Sequence, residues 1–296
     1  MISKYVNSGN VKLHLVVSEE QSSKETILFL HGYPENHLSW SKQWSYFKDK
    51  YRIAAFDIRG AGDSSTPYYN KEYGMDYLLE DVNNIINSLV DKNQKIHIVG
   101  HDWGAVIFWC YVSIPENASR IKTFTAISCP HPYLYLTNIL GKLFSFNPTK
   151  IMEGYRQFIK SLYVLFFQIP ALPEFIWGAA PEFLWQNLLK ASGLGDNQDY
   201  LILSKEEILK MVLNPINLYR EILKNLPPKL PVNKIEIPIA LIIPENDLVI
   251  TPEIYEGSES IAKKLNAFYL KANHFVHREK PIEVNSIIEK FISNQK

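Results

Sequence analysis

Cysteine is scarce in this chain, with only Cys110 and Cys129 among 296 residues. Two are too few for a disulfide framework and have no metal-ligand spacing, so a small stapled fold is excluded and a reducing, cytoplasmic setting is expected. Charge imbalance is missing too: 31 Lys+Arg stand against 31 Asp+Glu, which points away from nucleic acid and toward a neutral protein acting on small molecules. No long apolar run is present. The most apolar stretch, SLYVLFFQIPALPEFIWGAA at 161–180, is interrupted by Gln168, Pro170, Pro173 and Glu174, so it falls short of the ~20 uninterrupted apolar residues of a membrane span. It is expected to form a lid helix facing a pocket, with shallow membrane contact as the alternative. The opening MISKYVNSGN lacks the apolar core of a signal peptide. Internal repeats and low-complexity segments are also missing.

Short apolar runs bounded by polar turns are present at 26–30, 52–56, 95–99 and 123–127, and they read as buried parallel strands. Between them Met75, Leu78, Leu79, Val82, Ile85, Ile86 and Leu89 recur at helical spacing, predicting an amphipathic helix over 73–90. Alternation of strand and helix implies a parallel sheet covered on both faces. From 132 to 233 the strand-like runs vanish and Tyr, Phe, Trp and Pro crowd in. Beyond it, 238–243 and 267–270 again read as buried strands, and 281–292 as a terminal helix opened by Pro281. The organisation is therefore one α/β core, 1–131 and 234–296, interrupted by a helical cap at 132–233. Polar residues follow the strands at their carboxyl ends: His31, Asp57, Asp102, Asp247 and His274. Ligands bind at that edge in open α/β sheets.

The most informative motif is GHDWGA at 100–105. It places Asp102 where a strand-to-helix turn of the form G-x-nucleophile-x-G holds its attacking residue. A serine there makes acyl-enzymes. A carboxylate attacking an acyl group would give an anhydride, so it suits displacement at a saturated carbon, forming an alkyl ester that water then cleaves. A plain helix N-cap is the structural alternative for Asp102, but it does not account for glycine on both flanks. The GxG of Gly60 and Gly62 invites a dinucleotide-binding reading; Ser65 stands where the third glycine belongs, so turn geometry explains it better.

HGYP (31–34), DIRGAGDSS (57–65), GHDWGA, PENDLV (244–249) and NHF (273–275) together resemble the α/β-hydrolase-fold epoxide hydrolases, relatives of the haloalkane and haloacetate dehalogenases. The resemblance runs through nearly the whole chain. It implies a mostly parallel eight-stranded sheet with helices on both faces and an inserted helical cap. It makes Asp102 the nucleophile, His274 the base and Asp247 the acid that orients it, with backbone N–H groups of Tyr33 and Trp103 as the oxyanion hole. His277 is the rival base, expected on a surface loop with no task; a metal pair of His274 and His277 lacks an evident third ligand. Glu245 is the weaker rival acid, expected as a solvated turn residue. An acid at the end of the strand before the cap is ruled out, since 120–135 contains no Asp or Glu.

Epoxides differ from halides in needing a proton for the departing oxygen, and tyrosine is a natural donor. Tyr163, in YVLFFQ, and Tyr219, in LYR, resemble the family's two cap tyrosines, whereas Tyr133, Tyr135 and Tyr155 do not fit and are expected to pack. His31, Pro34, Phe167 and Phe275 are expected to line the substrate pocket. The resemblance thus implies hydrolysis of an apolar epoxide to a vicinal diol through an alkyl-aspartate ester. Its reactants are a small-molecule epoxide and water, with no metal or organic cofactor, in a monomer or homodimer. Dehalogenation by the same aspartate is the near alternative, and a non-catalytic binding protein of this fold the more distant one.

Overall fold

A computed structural model describes residues 1–194, 203–224 and 234–295. Eight strands form one sheet: β1 (Ile2–Ser8), β2 (Val11–Val17), β3 (Thr26–Leu30), β4 (Arg52–Phe56), β5 (Ile96–His101), β6 (Ile121–Ile127), β7 (Ile239–Pro244) and β8 (Leu265–Leu270). Their order is β1-β2-β4-β3-β5-β6-β7-β8. β2 runs antiparallel to both its neighbours, and every other pairing is parallel.

The strands read as continuous apolar runs because helices cover both faces. Within β3, Ile27 and Phe29 point one way, into a core shared with Phe47 of α1 (Ser41–Phe47) and with Val284, Ile288 and Ile292 of α13 (Pro281–Ser293). Leu28 and Leu30 point the other way, toward Val82, Ile85 and Ile86 of α2 (Met75–Leu89) and Phe108 of α3 (Trp103–Val112). A period of two thus feeds two cores from one strand. α2 matches the expected apolar spacing within two residues at each end. A short helix, α4 (Pro115–Ala118), leads into β6.

Between β6 and β7 the described residues form seven helices, α5 (Pro132–Leu143), α6 (Pro148–Lys160), α7 (Leu162–Phe166), α8 (Leu172–Ala179), α9 (Pro181–Ala191), α10 (Lys205–Leu213) and α11 (Ile216–Lys224), and one isolated bridge from Ile235 to Ala262. The expected end of this segment, 233, lies outside the described residues. The single lid helix expected over 161–180 is instead two, α7 and α8. Pro170 lacks the N–H that would continue the first, and Ala171, at φ 63°, turns the chain before α8 starts. β8 departs from expectation as well: it is the sheet's outer strand and largely exposed, not buried. α12 (Val276–Glu279) joins β8 to α13.

Candidate active site

Asp102 occupies the step between β5 and α3. Its backbone holds φ 49° and ψ −118°, a left-handed conformation that costs a non-glycine residue about 1–3 kcal/mol and clusters at functional sites. Asp102 does sit at the N-cap position, yet its side chain makes no capping bond. Its Oδ1 instead accepts the Tyr33 N–H at 2.7 Å. Two glycines make this geometry possible. A Cβ on Gly104 would lie 2.1 Å from the Leu30 carbonyl oxygen, and one on Gly32 would lie 2.4 Å from the Asp102 side chain. Only hydrogen at these positions lets α3 and the HGYP turn approach the elbow.

His274, beyond β8, faces Asp102 with Nε2 3.5 Å from Oδ2. Its Nδ1–H donates to Asp247 Oδ2 at 2.8 Å. Asp247 is buried on the turn after β7, its other oxygen accepting the N–H groups of Val249 (2.6 Å) and Ile250 (3.1 Å). Glu245 is exposed, as expected. Burial disfavours a charged His274, but the Asp247 and Asp102 carboxylates outweigh it and push its pKa up to about 10. Burial likewise raises the Asp102 pKa; the His274 contact and charge, the His101 charge and the Tyr33 N–H reverse this and hold it below the usual carboxylate range.

Two cavities meet at Asp102. One, about 170 Å³, is walled by Val106, Cys129, Tyr135, Leu136, Val164 and Ile222 among others. The second, about 300 Å³, is lined by Pro34, Phe167, Trp177, Leu188, His274 and Phe275 among others. Asp102, Tyr163 and Tyr219 border both. The Tyr163 and Tyr219 rings stand 5.6 Å apart, edge to face, and each hydroxyl pKa is driven well above its ordinary value by burial first and then by neighbouring tyrosine and Asp102 charge. Both phenols therefore stay protonated donors. The Trp103 ring packs edge to face on Tyr219, 5.1 Å away.

Pro34, Phe167 and Phe275 thus line a cavity, but His31 does not. His31 is buried beneath the turn, its Nδ1–H on the Gly32 carbonyl (2.8 Å) and its Nε2 accepting the Ile58 N–H (3.0 Å). Asp57 is also fully enclosed, gathering His14 Nδ1, His37 Nδ1 and the N–H groups of His37 and Asp63 within 2.7–3.0 Å. It fastens the loop after β4 and does not reach the cavities. Gly60 and Gly62 there adopt φ 78° and 49°, in keeping with turn geometry.

His277 is not a surface residue. It is fully buried, packed on Trp40 and His101 with centroids 4.6 and 4.3 Å away, and burial holds its pKa well below the ordinary value. Its ligand atoms, with those of Glu35 and His101, lie within 4.8 Å of one another. His101 Nε2–H donates to the His274 carbonyl (3.0 Å), and its Nδ1 is hydrogen-bonded to Glu35 (3.0 Å). Ser128 Oγ donates to the same carbonyl at 2.7 Å. This group props the His274 loop from below. Sequence reasoning missed Glu35, His101 and Ser128, although Glu35 directly follows HGYP and His101 directly precedes Asp102. It also assigned Tyr135 to packing. Tyr135 borders the smaller cavity, its hydroxyl bonded to Ser161 Oγ (2.7 Å) and Gln157 Nε2 (3.2 Å).

A mostly parallel sheet with a carboxylate at the elbow of β5 and α3, and a histidine after the last strand, is the arrangement of an α/β hydrolase. The α/β-hydrolase-fold family model matches residues 25–164. Human epoxide hydrolase 4 is 30% identical over 98% of this chain and 78% of its own length. Epoxide hydrolase 3 of Xenopus tropicalis is 27% identical over 97% and 76%. A Bacillus megaterium epoxide hydrolase solved with an inhibitor superposes with a TM-score of 0.79 at 25% identity, covering 98% of this chain and all of that one. The chain belongs to the epoxide hydrolase family of α/β hydrolases.

Proposed function

We propose that this protein hydrolyses apolar organic epoxides to vicinal diols through an ester on Asp102. The observation that carries this reading is the convergence on one cavity waist of an ionised carboxylate at the elbow, a histidine 3.5 Å from it and two protonated tyrosines. Asp102 Oδ1 is occupied by the Tyr33 N–H, so Oδ2 attacks a ring carbon and the C–O bond of the ring breaks. Tyr163 or Tyr219 gives its proton to the departing oxygen.

Esterification also changes the histidine. With Asp102 uncharged, one of the two carboxylates that hold the His274 proton is lost, and that proton returns to the tyrosinate. Neutral His274, aligned by Asp247, then takes a proton from water as it attacks the ester carbonyl. The oxyanion forms on Oδ1, against the N–H groups of Tyr33 and Trp103, where each such donor typically contributes about 3–4 kcal/mol. The C–Oδ2 bond breaks, the proton left on the added hydroxyl passes to the departing Oδ2, and the diol leaves carrying Oδ2, restoring the Asp102 carboxylate beside protonated His274.

In this reading the helices of 132–233 serve as a cap over the sheet's carboxyl edge, and the reaction needs only epoxide and water. Both cysteines are buried thiols whose pKa burial raises, Cys110 to about 12, which suits a reducing cytoplasm. Dehalogenation is less well supported, because a departing halide needs no proton donor and two tyrosines, Tyr163 and Tyr219, face the cavities beside Asp102. The test is a stoichiometric single turnover in water enriched in heavy oxygen. An unlabelled diol with label left in Asp102 is expected; label directly in the diol overturns the ester route. Parallel assays of epoxides and haloalkanes for diol and halide release separate the two activities.

A further inference from the structure

The loop that carries Asp247 is held from two sides. On the inner side Asp247 Oδ1 accepts the N–H groups of Val249 (2.6 Å) and Ile250 (3.1 Å), while Oδ2 accepts the His274 Nδ1–H at 2.8 Å. On the outer side further backbone groups of the same loop bond to α6. Gln157 Nε2 donates to the Val249 carbonyl at 2.8 Å, Gln157 Oε1 accepts the Thr251 N–H at 2.7 Å, and Lys160 Nζ donates to the carbonyl of Asp247 itself. Gln157 and Lys160 stand three apart in the last turn of α6, so they share one face.

That face is brought to the loop together with α5. A Cβ on Gly154 would lie 2.9 Å from Leu143 N, close enough to push the two helices apart, whereas hydrogen there lets α6 rest on α5. Asn138 of α5 donates to the carbonyls of Ile254 and Glu256, both at 2.8 Å, and Lys142 pairs with Glu256 at 2.9 Å. The α5–α6 pair is thereby fastened along residues 247–256. Asp247, Ile250 and Thr251 are buried, and a buried loop must place its main-chain groups on protein partners. An amide side chain satisfies a carbonyl and an N–H at once, which a leucine of similar size cannot do. Gln157 is fully buried and also reaches Tyr135, a wall of the smaller cavity, at 3.2 Å. These outer bonds fall on residues 247, 249 and 251, interleaved with the N–H groups that hold the carboxylate. A shift of α6 is therefore passed to Asp247, and from it to the His274 ring.

We propose that Gln157 and Lys160 are positioning residues for Asp247, through which α6 aligns His274 for hydrolysis of the ester. The catalytic half of this inference rests on the epoxide reading above, whereas the bracing of the loop does not. On that route Asp102 attacks and the tyrosines supply the proton, so Asp247 matters when His274 activates water. Loss of the brace thus acts on the second step.

The experiment joins rapid-quench single turnover of an epoxide to amide hydrogen exchange, both on the full chain. Lys160→Met and Gln157→Leu should alkylate Asp102 at the wild-type rate and break the ester down about 10–100-fold more slowly, the scale on which small misplacements act. Lys160→Arg keeps a donor for the Asp247 carbonyl and should restore ester breakdown. Asn214→Ala removes a different bond between these helices and the core, to Thr66 Oγ1 at 3.0 Å, and should leave both steps unchanged. With no substrate present, exchange at the Val249 and Ile250 amides should quicken about tenfold or more in Lys160→Met and Gln157→Leu. Should Gln157→Leu fail to fold, Lys160→Met decides, because Lys160 is only half-buried. Unchanged exchange overturns the brace. Ester breakdown at the wild-type rate, both steps slowed alike, or the same slowing in Asn214→Ala overturns the positioning role. A wild type that forms no adduct at all sinks the epoxide reading instead, and the exchange result then judges the brace by itself.

Discussion

Single side chains on the site act by losing or keeping one proton. On the proposed route, replacing His274 with Gln would remove the group that activates water but leave Asp102 able to attack. A mass increase equal to one epoxide is expected on the peptide carrying Asp102, and steady diol formation without that adduct would contradict the assignment. Changing Tyr163 and Tyr219 together to Phe should slow alkylation by about 10²–10⁴-fold, the usual size of general-acid catalysis. Ester breakdown, followed by rapid quench, should be nearly unaffected. The Asp247 and Asp102 carboxylates push the His274 pKa up to about 10, so on the proposed route any acid limb of the pH–rate profile would belong to the esterified form, where the Asp102 charge is gone. Single-turnover alkylation should therefore be flat through pH 6–7, while ester hydrolysis falls as pH drops; the reverse pattern counts against this proton path.

Elements are held in register by close backbone approaches as much as by apolar packing. The crossing of α3 over β3 depends on the missing side chain at Gly104, where a Cβ would meet the Leu30 carbonyl at 2.1 Å. Gly104→Ala should cost at least about 3 kcal/mol in urea unfolding, in the range of severe core disruptions. Gly141 in α5 meets nothing within 4 Å, so Gly141→Ala should stabilise by about 0.5–1 kcal/mol. Equal effects at the two sites would mean that helix propensity, not the crossing, governs both. Elements with a strict apolar period were legible in the sequence: β3 and β4 match their expected bounds, and α2 and α13 fall within a residue or two. The α7–α8 break was missed because apolar composition continues across Pro170, and the exposure of β8 because strand composition does not reveal a sheet's outer position.

Across the whole molecule, pairing of His274 with two carboxylates links folding to pH. Its folded pKa lies above the unfolded value of 6.5, so its contribution is fully present below about pH 6.5 and is lost as pH rises toward 10. The melting temperature should therefore fall more steeply between pH 7 and 10 in the wild type than in His274→Gln, where that linkage is gone. Parallel melting curves would show that His274 is not held as the charge balance implies. Asp57 acts in the opposite sense: the His14 and His37 contacts overcome burial and lower its pKa far below the usual range. Its contribution is present above the ordinary carboxylate range and fades only as pH falls below it.

Order along the chain was enough to set the elbow, the strand ends that carry Asp102, Asp247 and His274, and the class of chemistry a carboxylate at that turn can perform. Those features are local: a turn, a strand and a short motif each specify their own geometry. His31 and His277 were misread because exposure is a property of neighbours distant in sequence. The turn that resembles a pocket lip buries His31 under Ile58, and α12 folds His277 against Trp40 and His101. The Glu35–His101–Ser128 support and the two cavities joined at Asp102 likewise exist only once separate segments meet, because they are made of contacts, and contacts between remote residues have no signature in either one alone.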